Sequence, residues 1–223
     1  MSVRAAGIAA CAAFGWVVSA GAWSAAPEYE PGDTFLYSDG RVEQFRSATG
    51  DELTWATKGG RTYVRHRNFV LPVLAWRTPE SSGTRRVVGK APSLWPLRSN
   101  ANVRYRLLTN TELLATPGQR ASKRRLTEFW SCRVGTMSAL RVHAGTFDAQ
   151  EIACDRISSN TMKVTRREVW HFAPAVGHYV RKESINVANG KRSRYELVAT
   201  LAGRDANPAR INAVLEDYAR AKP

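Results

Sequence analysis

Cys132 and Cys154 are the residues whose types and spacing most directly imply chemistry in this chain. Two cysteines flanking a stretch of alternating side chains are either a disulfide or a nucleophile with a histidine base, here His143 or His171. Parity favours the first. Trp130, Cys132 and Val134 share one strand face, and Ile152 and Cys154 share one face of the next. Ser131, Arg133, Glu151 and Asp155 take the opposite, wet face. Setting Cys132 opposite Cys154 also sets Val134 opposite Ile152, so cysteines and apolar residues agree on one antiparallel register. Paired neighbours of this kind are close enough for an S–S bond, and an apolar strand face is a poor place for a nucleophile. A disulfide contributing ~2–4 kcal/mol is therefore expected. The register would close on a turn at His143 that is too tight, so a bulge near Gly135 or a tip around Ala144-Gly145 must absorb the mismatch.

Other reactive constellations are missing. The histidines His66, His143, His171 and His178 show no metal-ligand spacing, and no cofactor or metal is expected. His171 and His178 flank a Pro-Gly turn and read as partly exposed. Asp148 and Glu151 fall on opposite strand faces, so they do not form a working carboxylate pair. No zinc-protease helix, Gly-x-Ser-x-Gly elbow or phosphate-cradling loop is present. A hydrolase would need groups assembled from distant positions. The tryptophans are more informative: Trp55, Trp76, Trp95, Trp130 and Trp170 all fall in strands or their connections. They either fill a core or line a concave surface for an acyl chain or a sugar face. Trp55, Trp76 and Trp95 are the candidate ligand-binding residues.

The elements that must position these groups are strands. Arg61, Arg65 and Arg67 alternate with Val64 and His66; Val103, Tyr105 and Leu107 oppose Arg104 and Arg106; Tyr195, Leu197 and Ala199 oppose Arg194, Glu196 and Val198. Such alternation marks antiparallel strands with one buried and one wet face. Asp39-Gly40 and Asn189-Gly190 are two-residue hairpin signals, the first separating Thr34–Tyr37 from Arg41–Arg46. Pro79–Pro96 reads as a long irregular connection and Thr116–Lys123 as a shorter loop. A helix is expected over about 207–221: Asn207 suits the N-cap, Pro208 the first turn, and Ile211, Val214, Leu215 and Tyr218 recur on one face.

The first stretch resembles a secretory signal. Arg4 precedes an uncharged apolar run from Ala5 to Ala22, and small residues follow in Ala22-Trp23-Ser24-Ala25-Ala26. The expected organisation is a cleaved signal over 1–24 and one antiparallel β domain over 25–223, in the periplasm. An uncleaved membrane anchor and a lipobox at Ile8-Ala9-Ala10-Cys11 are the rival readings. The chain carries 33 Lys and Arg against 19 Asp and Glu, a net charge of +14. Outside the cytoplasm that charge favours anionic membrane surfaces or acidic envelope polymers over nucleic acid. Oligomeric state is not legible.

Gly145-Thr146-Phe147-Asp148-Ala149, then Ile152 and Cys154, then Trp170-His171-Phe172-Ala173-Pro174-Ala175-Val176-Gly177 resemble a pattern in exported proteobacterial proteins of unknown function, an "aGtF" strand start followed by "WYaPgvG". His171 stands where that pattern has tyrosine. The resemblance implies a lipoprotein-carrier architecture: a mainly β fold with a single curved antiparallel sheet, or half-barrel, wrapped around a helix or an apolar hollow. Gly145 suits a positive φ at the hairpin tip, and Pro174 with Gly177 suits a turn. The functional expectation is a non-enzymatic protein that binds an apolar or amphiphilic envelope component, such as a lipid, an acyl chain or an envelope polymer, in its concave face. An envelope structural or interaction module acting through its outer surface is the alternative, and a hydrolase the third.

Overall fold

The computed structural model describes residues 26–90, 94–115 and 120–221. The expected signal over 1–24, the cleavage site and Cys11 lie outside the described residues.

Twelve strands follow in order: β1 (Thr34–Tyr37), β2 (Val42–Thr49), β3 (Glu52–Ala56), β4 (Thr62–His66), β5 (Ala75–Arg77), β6 (Ser81–Gly89), β7 (Asn102–Leu113), β8 (Ser122–Val142), β9 (Gly145–Ser158), β10 (Val164–Ala173), β11 (His178–Asn186) and β12 (Arg192–Leu201). Each pairs antiparallel with the next, and β1 pairs with β12. The half-barrel expectation is thus corrected to a closed 12-strand barrel. Local alternation specifies strands but says nothing of whether the first and last edges meet. Thr34 opposite Leu201 and Phe35 opposite Thr200 make that closure and leave no open edge.

The cysteine hairpin has the expected register. Cys132 lies opposite Cys154 and Val134 opposite Ile152, and the two cysteines form a disulfide. A register shift between Val134 and Met137 adds one residue on β8. That bulge, at the Gly135 end of the candidates, lets the strands close through His143-Ala144, with Val142 opposite Gly145. Gly145 takes φ 137°, a region that side chains avoid. Thr146 and Phe147 pair with Arg141 and Leu140 along the same hairpin. Pro174 and Gly177 form the turn between β10 and β11, where the Gly177 N–H donates to the carbonyls of Ala173 (3.0 Å) and Pro174 (3.1 Å).

Three local expectations change. The Pro79–Pro96 connection contains β6, a strand of nine residues paired along its length with β7. Its Ser, Gly and Arg content hides it, because it has little apolar alternation. On β4 the arginine face points inward: Arg65 is only 7 % exposed. On β12 an extra residue at Val198 sets Ala199 opposite Leu36, on the outer face, while Tyr195 and Leu197 stay inside.

Helix α1 (Pro208–Ala221) lies against the outside of the barrel, not within it. Asn207 caps it, its Oδ1 accepting the Arg210 N–H at 2.9 Å. Ile211, Val214 and Leu215 cover Leu36 and Val42. Tyr218 reaches the β8–β9 tip, with its hydroxyl 3.1 Å from His143 Nε2. Among the described residues no helix is long and apolar enough to cross a membrane. The barrel's outer face carries exposed Arg104, Arg106 and Arg133, unlike the apolar band of a membrane-spanning barrel.

A barrel of about eight strands can be filled by its own side chains, so twelve leave a lumen to be plugged or left hollow. This protein does both. One half is packed by Phe35, Trp55, Phe69, Phe172 and Tyr179, joined by Val70, Leu71, Leu94 and Leu97 from the connections around β5 and β6. The other half stays hollow.

Candidate functional site: the barrel lumen

The inward face of each long strand runs from the packed half into the hollow half. On β8 it reads Val134, Cys132, Trp130, Glu128, Leu126 and Arg124; the first two sit in the core and the last four line the cavity. On β7, Val103 and Tyr105 are core, and Leu107, Thr109, Thr111 and Leu113 continue into the cavity. The disulfide therefore ties together two strands on the inner wall, just below the hollow.

At the boundary lies a buried polar relay. Glu43 on β2 accepts from Arg65 Nη1 at 3.1 Å and faces His178 Nε2 at 3.3 Å. His178 Nδ1 is 2.7 Å from the Tyr29 hydroxyl. Arg65 also donates to the Phe69 carbonyl at 3.1 Å, fixing the loop that plugs the barrel. Burial alone would raise the Glu43 pKa, but Arg65 and His178 outweigh it and hold the carboxyl at about 2. Burial pushes His178 below its ordinary range, against the pull of Glu43. The ring is therefore neutral at pH 7. Ionised Glu43 can only accept, so Nε2 carries the proton and Nδ1 accepts from Tyr29. Phe35 stacks on this ring at 4.1 Å and Trp55 at 5.4 Å. His178 is fully buried, not partly exposed as the turn suggested, because β11 begins at the sealed end of the barrel.

The hollow half is a cavity of about 900 Å³. Its apolar lining comes from Leu71, Leu107 and Leu126 and from the indoles of Trp76, Trp130 and Trp170. Nine Arg or Lys and three Glu side chains share the lining. All three carboxylates are engaged. Glu43 holds Arg65, Glu128 holds Arg156, and Glu168 lies 3.1 Å from Lys182 Nζ and 3.6 Å from Arg166 Nη1. Lys182 also sits 4.5 Å above the Trp170 ring, and burial lowers its pKa against the pull of Glu168. Arg41 donates to the Tyr195 hydroxyl at 2.7 Å and lies 4.1 Å over its ring.

Several donors remain open. The indole N–H groups of Trp130 and Trp170 and the Thr109 hydroxyl are buried in residues that line the cavity, and none has a hydrogen-bond partner among the described residues. Such groups cost free energy unless something accepts from them. Apolar walls with unfilled donors and surplus cations suit an amphiphile better than a pure hydrocarbon.

The three tryptophans singled out in the sequence are not brought together. Trp76 lines the cavity. Trp55 is packed against His178 and Phe45, and Trp95 against Phe69 and Phe172. Trp170 of the resemblance motif does line it, as does Trp130. Glu43, Arg65 and His178 were not singled out together as a site. Only an inward Glu opposite an inward Arg two strands away would have signalled them, and one sequence does not reveal strand positions at that range.

No family model matches this chain, and no curated protein matches its sequence. Among solved structures, it is similar to the hypothetical lipoprotein YmcC from Escherichia coli K12, with 10% identity over 75% of this chain and 82% of that one and a TM-score of 0.47. A protein from Bacteroides fragilis NCTC 9343, described as exported and as having a YmcC-like fold, shares 11% identity over 80% of this chain and 99% of that one, with a TM-score of 0.38.

Proposed function

We propose that this protein is an exported binder or carrier that holds an apolar or amphiphilic cell-envelope component inside its barrel, without transforming it. One observation carries the reading: the barrel encloses a cavity of about 900 Å³ walled by leucines and three indoles. Ligand pockets typically run from roughly 300 to 1,000 Å³ with largely apolar walls; this lumen has that volume, and its leucines and indoles share the wall with many charged side chains. Its carboxylates are tied to cations, and His178 does not line it, so among the described residues no free acid–base pair faces the cavity. That supports holding over turnover.

Native mass spectrometry of the full chain, purified from the envelope of its own source, tests this directly. A complex heavier than the polypeptide by a discrete lipid, acyl or glycolipid mass is expected. A spectrum showing the bare polypeptide, together with no saturable quenching of tryptophan emission by single-chain amphiphiles, would refute the reading.

A further inference from the structure

The charges of the lumen are distributed unevenly. On the inner faces of β8 to β11, Glu128 holds Arg156, and Glu168 is shared by Arg166 and Lys182. Elsewhere on the lumen wall, four cations have no such partner. Arg61 just before β4, Arg77 on β5, Arg85 on β6 and Arg124 on β8 all line the cavity, and none has a carboxylate within ion-pair distance among the described residues.

Exposed arginines at a rim are ordinarily just solvated. Arg85 is different, because it is partly buried and held in place. Its Nη1 donates to the Val73 carbonyl at 2.7 Å, and its guanidinium lies 4.3 Å over the Trp76 ring. Trp76 is itself pressed onto β6 at Gly83, where an added Cβ would fall 2.3 Å from the indole. Only glycine lets the ring lie this close, so sequence, strand and guanidinium are locked in one arrangement. Burial lowers the Arg85 pKa and outweighs the longer-range pull of Glu128 and Glu168, neither of which is within ion-pair distance. A guanidinium fixed at one edge still offers paired N–H donors, and paired donors in a plane match a carboxylate or phosphate.

We infer that the lumen selects ligands bearing a carboxylate or phosphate group, which Arg85 grips on this wall while Arg61, Arg77 and Arg124 draw it in at the rim. The inference rests on the reading of the lumen as a binding cavity. The apolar part of the ligand lies against the leucines and indoles, and the anion supplies the charge that the wall lacks. A neutral head group of the same size would leave Arg85 desolvated and unmatched.

The test compares probes of equal chain length below their micellar concentrations: dodecanoate, dodecyl phosphate, dodecyl maltoside and dodecyltrimethylammonium, with inorganic phosphate alone. Binding to the full chain is read by calorimetry and tryptophan quenching. The anionic chains are expected to bind at least about tenfold more tightly than the maltoside, the scale of one charge-assisted contact. The better of the two anions identifies the head group as carboxylate or phosphate. R85Q should shrink the preference to within about threefold by weakening the anionic chains, with an unchanged far-ultraviolet dichroism spectrum reporting the intact barrel. If R85Q does not fold, the rim pair R77Q/R124Q should reduce the preference and its salt dependence. Equal binding of maltoside and anionic chains overturns the anion inference and leaves the lumen reading standing. Binding of no chain at all overturns the lumen reading. Inorganic phosphate binding as tightly as dodecyl phosphate supports the anion site and removes the amphiphile.

Discussion

Replacing Glu43 by Gln should unfold this protein more readily than almost any other single-atom change. Glu43 is 4 % exposed and Arg65 is 7 % exposed, and they are 3.1 Å apart. The substitution keeps shape and leaves a desolvated guanidinium with a neutral partner. Breaking a buried pair in this way costs about 3–5 kcal/mol. In a domain of this size each kcal/mol moves the melting temperature by roughly 2–4 °C, so the expected fall is about 6–20 °C. The pH dependence gives an independent magnitude. The folded-state pKa of about 2 lies below the ordinary 4.5, so the unfolded chain takes up this proton first as the solution is acidified. The stabilisation is therefore complete above pH 4.5 and is lost as pH falls toward 2, roughly 3 kcal/mol in all. His178 acts earlier and in the same sense: its lowered folded pKa means that stability declines once pH drops below the ordinary 6.5. Urea titrations at pH 7, 5 and 3 would resolve both. E43Q should start lower and decline less between pH 4.5 and 3 than the parent. The double variant E43M/R65M should be more stable than E43Q, because no buried charge is then left unmatched. A loss under 1 kcal/mol for E43Q at pH 7, or a double variant worse than both singles, would refute the account of the relay.

Two further outcomes test the wall of the lumen. Replacing both Cys132 and Cys154 by Ser opens a loop of 22 residues, and should cost about 3 kcal/mol, read as a lower melting temperature that reductant no longer changes. A melting curve of the parent insensitive to reductant would show that the bond does not tie the wall. Gly83→Val should drive the Trp76 ring off β6, since the new Cβ would sit 2.3 Å from the indole and 2.8 Å from the Asn110 carbonyl. Tryptophan emission should shift to the red and the preference for anionic probes should fall while far-ultraviolet dichroism persists; an unchanged emission spectrum would sink the Trp76–Arg85 arrangement.

The cysteine hairpin was legible because three independent signals coincide: cysteine parity, the Val134–Ile152 pair and a glycine where a bulge was needed. The C-terminal helix was legible for a similar reason, with cap, proline and apolar stripe all within a few residues of each other. These are local agreements. Closure of the barrel is not local, since it depends on β1 meeting β12 across more than 150 residues of chain. β6 was hidden by its composition: Gly83 serves Trp76 and Arg85 serves the lumen, so the strand lacks the apolar beat by which strands are recognised.

The deeper ambiguity concerns which face of a strand is wet. Period two separates two faces but does not say which one meets solvent. The usual inference assigns the charged face outward. On β7 that holds, with Arg104 and Arg106 outside and Val103, Tyr105 and Leu107 within. On β4 it fails, because Tyr63 and Arg65 face a lumen. The same chain thus carries two kinds of polar face, and only geometry tells them apart. Arginines on the outer face need no partner beyond water. On the inner face, Arg65, Arg156 and Arg166 are held by Glu43, Glu128 and Glu168, Arg41 by Tyr195, and Arg85 by a carbonyl and an indole. A barrel that merely needed to be filled would have no use for such groups, since leucines of similar volume pack without a desolvation cost. A ligand of the kind proposed would supply the partners that these inward charges lack.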